Sequence, residues 1–287
     1  MRSGAAIHAL SSYGRYRGSG RVGKELCGRA FMSCNIPHNE FKKALKEHRK
    51  QLGLWLAFGS ATAAEISAGA GFDWLLIDGE HGPNTLTTIL DQLRAVHGYP
   101  CTPIVRPASP DPVQIKQVLD LGAQTLLLPM VNTSEQAQLM VKAVRYAPDG
   151  IRGVGAVLAR SGQWGRIPDY MRDAIDELCI VVQVESREAL ENIDAIAAVD
   201  GIDGIFIGPA DLSASLGYPD DAGNPVVQDA IHKAFDSILS HGKAAGSLAF
   251  DDSLAKKYFD WGASFIAVAG DTDLYVRAME RELALFR

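Results

Sequence analysis

From residue 41 onward the chain alternates short, continuous apolar runs with longer stretches in which apolar residues return at helical spacing. A continuous run marks a strand covered on both faces, and the amphipathic stretch after it marks the helix that covers it. The runs contain Leu54, Trp74, Ile104, Thr125, Ile180, Ile205, Ala245 and Phe265. Strands are therefore expected over 54–58, 74–77, 103–106, 125–128, 179–184, 204–207, 244–249 and 265–268. Helices are expected over 61–68, 86–96, 112–121, 134–146, 187–198, 226–240, 253–261 and 274–286, with a helix near 41–45 ahead of the first strand. Asp111-Pro112 opens its helix in the usual N-cap and first-turn manner. An irregular piece over 147–168 and a short helix near 170–175 interrupt the rhythm. Eight strand–helix units predict an α/β fold, a (β/α)₈ barrel, with a doubly wound open sheet as the alternative.

In either fold, function collects where the strands end and loops begin. The stretch Asp73-Trp-Leu-Leu-Ile-Asp-Gly-Glu-His-Gly-Pro83 stops an apolar run at two carboxylates and an imidazole. An active-site rim and a solvated turn both fit it, since Asp and Gly are ordinary turn residues. Gln183 and Glu185 share a face at the end of their strand, and Asp211 follows the next strand, so two carboxylates can meet on neighbouring units. An oxygen-only pair suits a hard divalent cation such as Mg²⁺ or Mn²⁺. A structural acid pair held by Arg is the other reading.

Arg106 ends its strand at the same rim, as an anion clamp or as half of a salt bridge. Asp120 falls in the last turn of a helix, where the macrodipole disfavours an anion by roughly 0.3–1 kcal/mol. His81 is one candidate to compensate it, and plain solvent exposure is the other.

Composition narrows the classes of partner. The net charge of −6 supplies no basic field for nucleic acid, so a small molecule is the expected ligand. No apolar run is long enough to cross a membrane, and Cys27, Cys34, Cys101 and Cys179 form no C-x-x-C pair, which fits reduced thiols in the cytoplasm. Gly153-Val-Gly155 is too incomplete for a dinucleotide fingerprint, so no nucleotide cofactor is expected. Residues 1–38 are rich in Gly, Ser and Arg and poor in acids, and read as a poorly ordered extension before a single domain over 39–287. A transit peptide and a start at Met32 are alternatives for that extension.

Several long motifs in order then carry a resemblance: Leu52-Gly-Leu-Trp-Leu56, Gly71-Phe-Asp-Trp-Leu-Leu-Ile-Asp-Gly-Glu-His81, Ile151-Arg-Gly-Val-Gly155 and Gly204-Ile-Phe-Ile-Gly-Pro-Ala-Asp-Leu212. From about residue 39 onward the chain resembles the HpcH/HpaI aldolase family. The resemblance implies a barrel of the phosphoenolpyruvate/pyruvate type, with the C-terminal helix used in packing a homohexamer, a trimer of dimers. It implies that Glu185 and Asp211 bind a divalent cation (Mg²⁺, Mn²⁺ or Co²⁺). It also implies that Gln183, the backbone at Ala210, Trp55 and Leu248 contact substrate. Arg106 would stabilise the transition state, and His81 would be the base, its basicity raised by Asp120. Gly82 stands where close relatives often have Ala, with little consequence expected, and Ser247-Leu248-Ala249 could alter aldehyde preference.

The activity implied is reversible cleavage of a 4-hydroxy-2-oxo acid, first 4-hydroxy-2-oxoheptanedioate to pyruvate and succinate semialdehyde. A 2-keto-3-deoxy sugar acid, glucarate- or rhamnonate-derived, is the alternative, and a non-catalytic oxoacid-binding barrel is the reading from another class. Breaking the C3–C4 bond needs an electron sink at C2 and a base for the C4 hydroxyl. A Schiff-base lysine would also be a sink. No lysine stands at the end of an expected strand: Lys116 and Lys142 fall in helices and Lys243 precedes its strand, so a metal-dependent sink is expected.

Overall fold

Eight parallel strands pair in sequence order and close on themselves, the first against the last. They are β1 (Gln51–Leu56), β2 (Trp74–Asp78), β3 (Thr102–Arg106), β4 (Thr125–Leu128), β5 (Cys179–Val184), β6 (Gly204–Ile207), β7 (Ala244–Leu248) and β8 (Phe265–Gly270). The computed structural model describes residues 35–287, and what is expected of residues 1–34 lies outside the described residues. The helices are α1 (Glu40–Lys46), α2 (Ala61–Ala68), α3 (Leu86–Ala95), α4 (Pro112–Asp120), α5 (Ser134–Val144), α6 (Tyr170–Glu177), α7 (Arg187–Glu191), α8 (Ile193–Ala197), α9 (Pro209–Leu216), α10 (Pro225–Ser240), α11 (Asp252–Asp260) and α12 (Asp271–Ala284). The expected (β/α)₈ barrel is thus the fold, and the open sheet is not.

Strand side chains alternate between two cores, as the period of two requires. Leu75, Ile77, Val105, Ile180, Val182 and Ile205 face outward and pack under the helices. Trp74, Leu76, Ile104, Leu127, Val181, Phe206 and Phe265 face inward and fill the barrel. Large rings fit inside because Gly53 and Gly246 stand beside them. A Cβ at Gly53 would lie 2.1 Å from the Trp74 ring, and one at Gly246 would lie 2.3 Å from that of Phe265.

The N-terminal end of the barrel is plugged by α1. Asn39 caps this helix by accepting from the Lys42 amide, and its Nδ2 donates to Thr125 Oγ1 and the Glu177 carbonyl, both at 2.9 Å. The helix drives Phe41 and Leu45 into the inner core, where the Phe41 ring meets Phe265 and Trp74 edge-on at 5.5 and 6.0 Å. Access to the barrel axis is therefore left to the C-terminal end.

The structure redraws some expected boundaries. β1 starts at Gln51 rather than 54, because parallel pairing with β8 needs backbone and not apolar side chains; Leu52 is exposed. Ala57 and Phe58 leave the strand and donate their amides to Asp271. The single helix expected over 187–198 breaks at Asn192, whose Nδ2 donates to the Asn132 carbonyl at 2.9 Å. α9 falls where no helix is expected, with Gly208 as N-cap and Pro209 as its first helical residue. Contacts to the barrel begin ahead of residue 39. Ile36 packs beside Tyr146 and Tyr170, the Pro37 carbonyl accepts from Gln124 Nε2 at 2.7 Å, and His38 Nδ1 lies 3.0 Å from Glu177.

Candidate active site

Parallel pairing places Asp78 beside Arg106, the last residues of β2 and β3. Both are buried, and the pair is bidentate, Arg106 Nε to Asp78 Oδ1 at 2.9 Å and Nη2 to Oδ2 at 2.7 Å. Trp55 Nε1 donates to Asp78 Oδ2 at 3.0 Å, and the guanidinium lies 4.8 Å from the Trp55 ring centre. Burial alone would raise the Asp78 carboxyl, but the hydrogen bonds and charge of Arg106, joined by the Trp55 and Glu80 N–H groups, outweigh it and hold it below its ordinary value. The third guanidinium nitrogen, Nη1, bonds Glu80 Oε2 at 2.8 Å. Arg106 is thus fixed as a planar fork with two N–H bonds still to give.

The turn after β2 is drawn tight onto this pair. Amides of Glu80 and His81 donate to Asp78 Oδ1, the Gly79 amide donates to the Arg106 carbonyl, and Asn84 Nδ2 donates to the Asp78 carbonyl. Gly82 matters more than expected. A Cβ there would come 2.7 Å from the Asp78 carbonyl oxygen, so a methyl group would push the turn outward. The turn carries His81 at the rim, largely exposed, with Nε2 3.9 Å from Glu80 Oε2.

On the far side of the rim, Glu185 is buried just past β5. Its Oε1 accepts from the Met130 amide at 2.9 Å, and its Oε2 accepts from Gln183 Nε2 at 2.5 Å. Met130 adopts a left-handed backbone, φ 52°, which costs a bulky residue roughly 1–2 kcal/mol. Gly208 makes room: a Cβ there would sit 2.3 Å from Glu185 Oε2 and 2.9 Å from Gln183 Nε2. Burial pushes the Glu185 carboxyl up to about 7, with the negative charges of Asp211 and Glu80 adding to it against the Met130 amide and Arg106. Asp211 lies in the first turn of α9, where the helix N-terminus favours an anion.

These groups surround one cavity of about 280 Å³ at the open end of the barrel. Asp78, His81, Arg106, Gln183, Ala210 and Asp211 line it, together with Trp55 and Leu248. A larger cavity, about 860 Å³, opens among α1, α6 and residues 144–152, next to the strand N-terminal ends. It holds none of the rim residues, so the chemistry belongs to the smaller one.

Asp120 stands elsewhere. α4 leaves the C-terminal end of β3 and runs back along the outside of the barrel, so its last residue lies away from the turn that carries His81. The support for His81 expected from Asp120 is not made within the chain. Asp120 is compensated instead by the fully buried Arg152, whose Nη2 lies 2.9 Å from its Oδ1. That accounts for an acid at a helix C-terminus, and for one residue of the Ile151-Arg-Gly-Val-Gly155 motif.

The family model for HpcH/HpaI aldolase/citrate lyase matches residues 51–278. The chain belongs to this family. Two similar relatives come from Klebsiella pneumoniae. The 2-keto-3-deoxy-L-rhamnonate aldolase is 57% identical over 249 residues, 87% of this chain and 93% of the relative. The 4-hydroxy-2-oxo-heptane-1,7-dioate aldolase is 55% identical over 249 residues, 87% of this chain and 94% of the relative. Among solved structures, an HpcH/HpaI aldolase/citrate lyase family protein from Burkholderia cenocepacia J2315 superposes with a TM-score of 0.84 at 37% identity. It covers 87% of this chain and 99% of its own.

Family membership raises the question of a metal, and the donor set fits one. Glu185 and Asp211 are two carboxylates whose charges disfavour each other, and buried Gln183 Oε1 accepts no hydrogen bond among the described residues. A cation between the two carboxylates would relieve that repulsion. Among the described residues no group of three or more His, Cys, Asp or Glu side chains is placed to hold a metal, so water and substrate oxygens would complete the shell. Sequence reasoning brought Asp78 and Glu80 to the rim but gave them no role. The signal that could have found Asp78 is the β2–β3 register, which sets it against Arg106.

Proposed function

We propose that this HpcH/HpaI family member catalyses reversible retro-aldol cleavage of a 4-hydroxy-2-oxo acid to pyruvate and an aldehyde. Both curated relatives carry the name of an aldolase. The observation that carries the reading is the convergence of Arg106, His81, Gln183 and Asp211 on one cavity at the open end of the barrel, with Glu185 behind Gln183. No lysine lines that cavity among the described residues, which favours an electrostatic sink over a Schiff base.

A divalent cation held by Glu185 and Asp211 would act as a Lewis acid on the oxo acid. The protein's own groups do the rest. The pyruvate carboxylate is received at the N-terminus of α9, by the Ala210 amide and the Gln183 side chain. Arg106, held rigid by Asp78 and Glu80, gives its remaining N–H bonds to the oxygen that becomes an enolate. His81 takes the proton of the C4 hydroxyl. The C3–C4 bonding pair passes to the enolate, the aldehyde leaves, and protonation at C3 gives pyruvate. Water reaches His81 freely from the rim, so a proton taken there is readily exchanged.

Glu185→Gln removes one anionic oxygen and nearly keeps the shape. Metal affinity, pyruvate release and exchange of pyruvate methyl protons in deuterated water are expected to fall together. A structural acid pair would instead lose only folding stability. Full activity of protein shown to be metal-free by elemental analysis would refute the mechanism.

We also propose a cytoplasmic homohexamer. Supporting it, Leu274, Tyr275, Val276, Met279 and Leu283 on α12 are exposed in the single chain, an apolar surface that a neighbouring subunit would cover.

A further inference from the structure

The proposed cleavage leaves open which aldehyde departs, and the rim bears on it. Taken around the barrel, the cavity wall is polar from β2 to β6, where Asp78, Arg106, Gln183 and Asp211 lie. The remaining arc, β7 through β8 to β1, presents Leu248, Phe250, Trp55 and Ala57. Phe250 follows β7 and is about two-fifths exposed, so its ring stands at the mouth and not in the core. It can lie there because β8 ends in glycine. A Cβ at Gly270 would come 3.3 Å from Phe250 Cζ and 3.9 Å from the Trp55 Cβ. The Phe250 ring therefore occupies space that a side chain at residue 270 would crowd, and it continues the apolar wall begun by Trp55.

We infer that Phe250 is a specificity-determining residue, the outer wall of the aldehyde subsite, selecting aldehydes with a neutral tail over those with a distal carboxylate. The inference rests on the proposed aldolase reading. With the pyruvate half on the polar arc, the aldehyde tail lies along the apolar one. Arg106, the permanent cation in the lining, gives one N–H from each nitrogen to Asp78 and Glu80 and its remaining two to the enolate oxygen on the pyruvate side, which leaves none for the aldehyde tail. A tail carboxylate would lose water against the Phe250 ring and gain no partner, whereas a methyl-terminated tail gains contact.

Two substrates of equal length isolate the effect: 4-hydroxy-2-oxoheptanoate and 4-hydroxy-2-oxoheptanedioate, followed by pyruvate release. The wild type is expected to favour the heptanoate in kcat/KM by about tenfold or more, the discrimination an apolar pocket commonly reaches. Phe250→Ala should shrink that ratio, and Phe250→Arg, which sets a cation at the mouth, should reverse it. Phe250→Leu, which keeps the wall apolar, should preserve the preference and guards against a fold defect in the other two. A wild type that favours the heptanedioate, or a ratio unmoved by Phe250→Arg, overturns the inference while leaving the aldolase reading intact. Release of pyruvate from neither substrate, with no methyl-proton exchange on pyruvate, overturns the aldolase reading and the inference with it.

Discussion

Asp78 shows how one buried carboxyl couples catalysis to stability. Burial raises its pKa, the Arg106 hydrogen bonds and charge together with the Trp55 and Glu80 N–H groups lower it by more, and the net direction is down. A carboxyl held low in the folded state contributes stability that is complete above its unfolded value of about 3.9 and is lost as pH falls through the folded value. Asp78→Asn leaves Arg106 buried with Glu80 as its remaining acid, and is expected to cost about 3 kcal/mol at pH 7. The gap to wild type should begin to narrow below about pH 4, where the unfolded chain takes up the proton first, and go on narrowing as pH falls through the lower folded value. Urea unfolding at both pH values measures it, and a gap independent of pH would assign the linkage to another group. At this scale the sequence showed which residues end strands, and that found Arg106, Gln183, Glu185 and Asp211. It could not show which acid meets which base. The resemblance pairs Asp120 with His81, but within the chain α4 carries its last residue away from the rim, and there Asp120 meets Arg152, which stands in an irregular segment that periodicity does not place.

The elements were legible where periodicity is strong and obscure where one residue overrides it. Strand positions followed from apolar runs, yet Asn192 splits a helix by donating to the Asn132 carbonyl, and Gly208-Pro209 begins a helix that the periodicity does not mark. α1 shows the opposite case, a short helix whose apolar positions were plain but whose place under the barrel was not. Phe41 is fully buried against two aromatic rings. Phe41→Ala is expected to destabilise the chain by about 3–5 kcal/mol, the usual cost of an aromatic-sized cavity. Thermal or urea unfolding reads this directly, and a loss below about 1 kcal/mol would mean that α1 sits on the barrel without packing into it.

For the molecule as a whole, counting strand–helix units was enough to reach the barrel, because eight parallel strands with alternating helices have few ways to cover both faces. Assembly was not legible by counting units; the sequence pointed to the C-terminal helix as a subunit contact, and the fold leaves Leu274 and Leu283 of α12 exposed. Sedimentation at micromolar concentration is expected to show a hexamer, and a monomer there would remove the proposal. Removal of residues 1–34, which stops short of Ile36 and its contacts, is expected to leave turnover within about twofold, because no motif of the candidate site lies in that stretch of sequence. A large loss in folded, truncated protein would show that the extension serves the site.

The plug of Phe41 and Leu45 turns the barrel into a cul-de-sac, and a cul-de-sac imposes an order of traffic. The deep positions belong to Gln183 and Glu185, which are almost wholly buried, and the shallow one to Phe250 at the mouth. In cleavage the aldehyde is nearer the exit and departs first, and pyruvate follows. In synthesis pyruvate must go in ahead of the aldehyde that would otherwise block its way. Product inhibition reads this queue. Pyruvate is expected to compete with the hydroxy-oxo acid, because both enter the empty enzyme, and the aldehyde to inhibit noncompetitively. Competitive inhibition by both products would mean that the mouth opens wide enough for either to pass the other.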